Sequence, residues 1–116
     1  MAIPVSITRG AEEDLRAIYR RRLAQRGGSG DDGAEALLAQ LVGAIEALAT
    51  YPLRGPVPPE LEALGIATFR QISLPPYRVI YLPALEVAEP RVTVMVIADA
   101  RRDFRALLEE RLLRRG

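Results

Sequence analysis

Ile3, Val5 and Ile7 alternate with Pro4 and Ser6, the two-residue period of a half-buried strand, and Pro4, which has no N–H to give a ladder, points to a sheet edge. From Thr8 the period lengthens. Thr8 is placed to cap a helix, acids follow at Glu12, Glu13 and Asp14, and Ala11, Leu15, Ile18 and Leu23 draw an apolar stripe to about Arg26. Gly27, Gly28, Ser29 and Gly30 stop it. Asp31 or Asp32 caps a second predicted helix, in which Ala34, Leu37, Leu38, Leu41, Ile45 and Leu48 recur at steps of three and four, making a helical hairpin that ends at Tyr51-Pro52.

The segment 52–59 holds four prolines and reads as a loop, followed by one helical turn over Pro59 to Leu64 before Gly65. Beyond Ile66 the residues turn to valine, isoleucine, tyrosine and phenylalanine. Ala67 to Leu74, Tyr77 to Leu82 and Val92 to Ala98 are three predicted strands, parted by Pro75-Pro76 and by Glu89-Pro90, in an antiparallel meander. Asp99 or Asp103 caps a last helix with Phe104, Leu107, Leu108, Leu112 and Leu113 on one face and Arg101, Arg102, Arg105, Arg111, Arg114 and Arg115 elsewhere. The expectation is an α+β domain spanning residues 1–116: an N-terminal strand, a helical hairpin, a three-stranded meander and a C-terminal helix, with the hairpin on one face of a four-stranded sheet.

Composition changes this picture mainly by exclusion. A chain of 116 residues is one domain in size, and 49% apolar with 27% charged residues is globular rather than disordered composition. Without cysteine there are no disulfides, thiolate nucleophiles or cysteine-held metals, and without histidine the commonest metal ligand and neutral-pH proton carrier is gone. No metal and no cofactor are expected. All sixteen basic residues are arginine, so lysine chemistry is also excluded, and the net charge of +1 does not mark a protein devoted to gripping a polyanion, although a local arginine patch can still do so. No run approaches the roughly 20 apolar residues of a membrane span and no leader pattern opens the chain, so no membrane partner and a cytoplasmic location are expected.

Five segments carry a resemblance. Ala11-Glu12-Glu13-Asp14-Leu15-Arg16-Ala17-Ile18-Tyr19, Ile45 to Gly55 with its Tyr51-Pro52, Arg70-Gln71-Ile72, Tyr77-Arg78-Val79-Ile80-Tyr81 and Ile97-Ala98-Asp99-Ala100-Arg101-Arg102-Asp103 stand in the order and spacing of the RelE/ParE toxin–antitoxin superfamily. The chain resembles its ParE branch most in the first helix. The resemblance implies a toxin neutralised by a cognate antitoxin in a hetero-oligomer. It also implies one of two activities: inhibition of DNA gyrase and replication, as in ParE-like members, or ribosome-dependent cleavage of mRNA, as in RelE-like members.

The residues bear on that choice. RNA cleavage at the 2′-hydroxyl needs a base, an acid and cations for the phosphorane. By resemblance Arg78 and Arg101 or Arg102 are phosphate grips, but the position nearest the RelE catalytic tyrosine is Phe104, which transfers no proton, and arginine is a poor base. No catalytic residue is therefore assigned, and a binding poison is favoured over an endoribonuclease. The candidate functional residues are Arg70, Arg78, Tyr81, Arg101, Arg102 and Asp103, and the candidate antitoxin-binding residues are Phe104, Leu108 and Leu112. Each has a plainer reading: cross-strand pairing for Arg70 and Arg78, packing for Tyr81, an exposed helix start for Arg101 to Asp103, and core for the last helix.

Overall fold

A computed structural model describes residues 2–25 and 33–113. The glycine-rich stop at Gly27 to Gly30, the proposed caps Asp31 and Asp32, and Arg26, Arg114 and Arg115 lie outside the described residues. Thr8 caps the first helix as expected. Its hydroxyl accepts the Ala11 N–H at 3.1 Å, and α1 runs over Arg9–Gln25. The second helix, α2 (Ala34–Glu46), tightens into a 3₁₀ turn at Ala47–Ala49. Its apolar stripe buries Ala34, Leu41, Ile45 and Leu48, and Tyr19 of α1 ties the hairpin together by donating to Glu35 at 2.6 Å.

Four strands, β1 (Val5–Ile7), β2 (Arg70–Leu74), β3 (Tyr77–Ala84) and β4 (Arg91–Asp99), form one sheet in the order β1-β4-β3-β2. The meander is antiparallel, while β1 lies parallel to β4 at the edge that Pro4 suggested. The strand expected from Ala67 begins only at Arg70. Pro75 and Pro76, joined by a cis peptide bond, turn β2 into β3.

The alternation on β3 sends Val79 and Tyr81 toward the helical hairpin and Ile80 to the opposite face. The hairpin covers the first face with Ala11, Ile18, Leu41 and Ile45. On the second face Ile80, Val96 and Ala98 meet Leu61 of α3 (Pro59–Glu62) and Phe104, Leu107 and Leu108 of the last helix, which comprises α4 (Phe104–Leu108) and a π-helical segment over Glu109–Leu113. Helices therefore cover both faces of the sheet, one layer more than the sequence pattern specified.

One irregularity makes this possible. Ile80 pairs with Val96 and Tyr81 with Val94, so Met95 is an extra residue on β4. In a regular strand Val92, Val94, Val96 and Ala98 would share a face. The bulge at Met95 re-aims them: Val92 and Val94 join the hairpin side, Val96 and Ala98 the side of α4.

Candidate functional site

Arg78 stands on the α4 face of β3, between Gln71 on the neighbouring strand and Glu60 on α3. Pro59 starts α3 at the position where a missing N–H costs nothing, and Gly65, at φ +76°, lets the chain turn away after it. The single turn presents Glu60 to the guanidinium, whose Nη1 and Nη2 donate to the two carboxylate oxygens at 2.9 and 2.8 Å. Nε donates to the Gln71 amide oxygen at 2.8 Å, and Nη2 donates to the same oxygen. The Phe104 ring covers one face of the group, with its centroid 3.9 Å from Cζ. The side chain of Arg78 is only 12% exposed, and its hydrogen bonds hold the Glu60 carboxyl below its usual range. A phosphate meets here a guanidinium already engaged on its edges and one face.

Tyr81 is fully buried on the other face of the strand. Its hydroxyl accepts the N–H of Gly55 at 3.1 Å, pinning the proline loop against the sheet. Arg70 serves the same loop, with Nη1 donating to the Gly55 carbonyl at 3.0 Å and to the Leu53 carbonyl at 3.5 Å. Glycine is obligatory there, because a Cβ on Gly55 would lie 1.7 Å from the Gln71 carbonyl oxygen. Asp103, at the start of α4, accepts the Ala106 N–H at 3.2 Å as the helix cap.

Arg101 and Arg102 occupy the turn between β4 and α4, both exposed. The side chain and backbone N–H of Arg101 clasp the Asp99 carboxylate, with bonds of 2.8 to 3.0 Å. That clasp, helped by the charges of Arg101 and of Arg21 on α1, lowers Asp99 from 3.8 to about 2. The six candidate residues thus do not converge. Arg78 and Tyr81 lie on opposite faces of the sheet, and Asp103 caps a helix. Arg101 and Arg102 sit together at the end of β4.

The three residues expected to bind the antitoxin differ in exposure. Phe104 and Leu108 are buried, packed with Leu61, Ile80 and Val96, because the sheet presents a second apolar face that these side chains cover. Leu112 stays partly exposed. Beside it Leu64, Arg105, Glu109 and Leu113 line an open groove of about 340 Å³ in which both leucines are exposed.

Asp14 and Arg111, far apart in the sequence, form a further pair. Asp14 lies three positions after Ala11 and four before Ile18, inside the buried stripe of α1, which marks it as an acid with an inward partner. Arg111, from the last helix, meets it with two hydrogen bonds of 3.2 and 3.0 Å.

Comparison with known proteins fixes the family. The model of the ParE toxin of the type II toxin–antitoxin system parDE matches residues 5–104. The chain belongs to the ParE toxin family. Among solved structures, one titled the chromosomal ParDE system of P. aeruginosa superposes with a TM-score of 0.63 at 19% identity, over 84% of this chain and 96% of that one. The RelBE2 toxin–antitoxin complex of Mycobacterium tuberculosis gives a TM-score of 0.58 at 22% identity, over 85% of this chain and 92% of that one. At these identities the two likenesses establish the shared fold. No curated protein sequence matches. The ParE-family domain holds no helix long and apolar enough to cross a membrane among its described residues.

Proposed function

We propose that this chain is the toxin of a type II toxin–antitoxin pair, that it acts in the cytoplasm by inhibiting DNA gyrase and thereby replication, and that a cognate antitoxin neutralises it. The ParE toxin family match over residues 5–104 carries the reading. The residues add support from chemistry. The hydroxyl of Tyr81 is buried in the fold, Arg78 is held by Glu60 and Gln71, and Phe104 has no proton to exchange, so none of these three residues offers a free acid or base for RNA cleavage. A RelE-like ribosome-dependent endoribonuclease is the second reading, favoured by the likeness to the RelBE2 complex.

The antitoxin is expected to cover the groove of Leu64, Arg105, Glu109 and Leu113 with the adjoining Leu112, where apolar side chains are already open to a partner. Unopposed expression in bacteria tests both parts. DNA damage and filamentation with continuing translation are expected, and co-expression of the antitoxin encoded beside the toxin should restore growth, less so for Leu64→Asp. Halted translation with new internal mRNA ends would replace gyrase by the ribosome.

A further inference from the structure

Among the described residues, the three most exposed large apolar side chains are Tyr51 at 63%, Leu53 at 51% and Val87 at 51%. The fold brings all three to one end of the sheet. Val87 stands in the hairpin connection that joins β3, ending at Ala84, to β4, starting at Arg91. The proline loop crosses that same end. It leaves the 3₁₀ turn at Ala49, whose carbonyl accepts the Ile3 N–H at 2.9 Å, close to the start of β4, where the Val92 N–H donates to the Pro4 carbonyl at 2.9 Å. It reaches Gly55 beside the start of β2, where Tyr81 and Arg70 hold it and the Pro56 carbonyl accepts the Gln71 N–H at 2.9 Å. Tyr51 and Leu53 are thus displayed on a fixed segment, and a partner that covers them need not order the loop first.

The charges around these side chains are balanced and uncommitted. Glu86 and Glu89 flank Val87, Arg91 stands at the foot of the hairpin, and Arg54 follows Leu53, all four exposed. Arg9, Arg16, Arg78, Arg101, Arg105 and Arg111 each have an acid of their own, but among the described residues none of these four makes an ion pair. An apolar centre with a polar rim is the make-up of an interface. This one is also its own complement. A partner of one net sign would leave half of the rim facing its like. A second copy turned about a two-fold axis sets the carboxylates of one end against the arginines of the other, and does so twice, because every pairing in such a contact recurs with the chains exchanged.

We infer that this end of the sheet is a self-association surface, on which two copies of the chain meet about a two-fold axis with Tyr51, Leu53 and Val87 at the centre and the four charges around them. Tyrosine on a rigid backbone is a frequent anchor of such centres, since it brings a large contact area with few rotors to freeze. The rim charges contribute little energy and set the orientation. With three apolar side chains from each copy the contact is small, and the dimer belongs to the weak, concentration-dependent class. It uses none of the residues of the groove at Leu64 and Leu113 and does not rest on gyrase as the target.

Sedimentation velocity of the purified full chain, from about 5 to about 300 µM, tests the inference. The mass should rise from monomer toward dimer over that range and stop there. Leu53→Asp should weaken the association by about tenfold or more. R54E/R91E, whose rim is wholly acidic, and E86R/E89R, whose rim is wholly basic, should each stay monomeric alone and associate when mixed, which damaged folding cannot produce. R9Q/R16Q, on α1, should associate like the unsubstituted chain, and circular dichroism confirms that every variant folds. A chain still monomeric at about 300 µM, a mixture that does not associate, association unmoved by Leu53→Asp, or growth beyond the dimer overturns the inference. In a monomeric chain, loss of antitoxin or gyrase binding by Leu53→Asp would assign the surface to that partner instead. Since the sedimentation sample holds neither gyrase nor ribosome, its outcome is independent of the toxin's target.

Discussion

The hydroxyl of Tyr81 has one task in the fold, to accept the N–H of a glycine that is pressed against β2 too closely for any other residue. Tyr81→Phe leaves that buried N–H without a partner, and chemical denaturation should show a loss of about 1–2 kcal/mol. Toxicity of the variant at low temperature should persist; a variant of unchanged stability with abolished toxicity would make Tyr81 a functional group instead. Two carboxylates, Glu60 and Asp99, lie below their usual range. Glu60 and Asp99 both titrate lower in the folded chain than in the unfolded one, so their contribution is complete above the usual carboxylate range, about 4 to 4.5, and is lost as pH falls through the depressed values, about 2 for Asp99. For Glu60 the Arg78 hydrogen bonds are the cause, so Glu60→Gln should flatten the stability profile below pH 4.5 while lowering stability at pH 7 by about 2 kcal/mol. An unchanged acid limb in denaturation curves from pH 2 to 7 would show that the pair does not set it.

At the scale of elements, β1 is too short for its neighbour. It covers β4 only from Val92 to Val94, and past that point the outer edge of a nine-residue strand lies open. Side chains take over where the strand ends. The Asp14 carboxylate accepts the Ile97 N–H at 3.0 Å, while Arg111 at 3.1 Å and the Thr8 hydroxyl at 3.4 Å donate to the Met95 carbonyl at the bulge. Gly10 makes room, since a Cβ there would come within 2.7 Å of the Arg111 guanidinium. The pair is part-buried, 18% and 23% exposed, and removing one member strands the other, so Asp14→Ala should cost about 3 kcal/mol. Hydrogen exchange of the Ile97 amide should accelerate in that variant ahead of Val79 in the core. Uniform acceleration across the sheet would mean that Asp14 acts globally and does not cap an edge.

The same region shows why some features were legible in the sequence and others were not. Periodicity exposed the helices because the buried stripes of α1 and α2 are long, and Thr8 announced its cap by type and place. The bulge at Met95 left no local mark: the alternating valines of β4 read as one face, and only pairing with β3 reveals that they serve two. That second face in turn accounts for Phe104 and Leu108 as core. Arg70 and Arg78 were found as residues of consequence, but their partners, the Gly55 carbonyl and Glu60, lie 15 and 18 positions away in a loop and a one-turn helix whose positions pattern cannot supply.

For the molecule as a whole, the fold is a sheet layered between helices that spends its conspicuous side chains on holding itself together. Among the described residues, surfaces open to partners include an apolar groove beside the last helix, the exposed Tyr51 and Leu53 of the proline loop, and the arginine-rich end beside Asp99. These surfaces fit the proposal that this ParE-family toxin works by binding DNA gyrase. The central claim is tested most directly with purified components. Purified chain is incubated with DNA gyrase, ATP and supercoiled plasmid and, separately, with ribosomes programmed with an mRNA. The account expects linear plasmid to accumulate as cleaved DNA is trapped, in proportion to toxin and suppressed by antitoxin, with the mRNA intact; unaltered gyrase activity together with mRNA cut at the ribosome would contradict it.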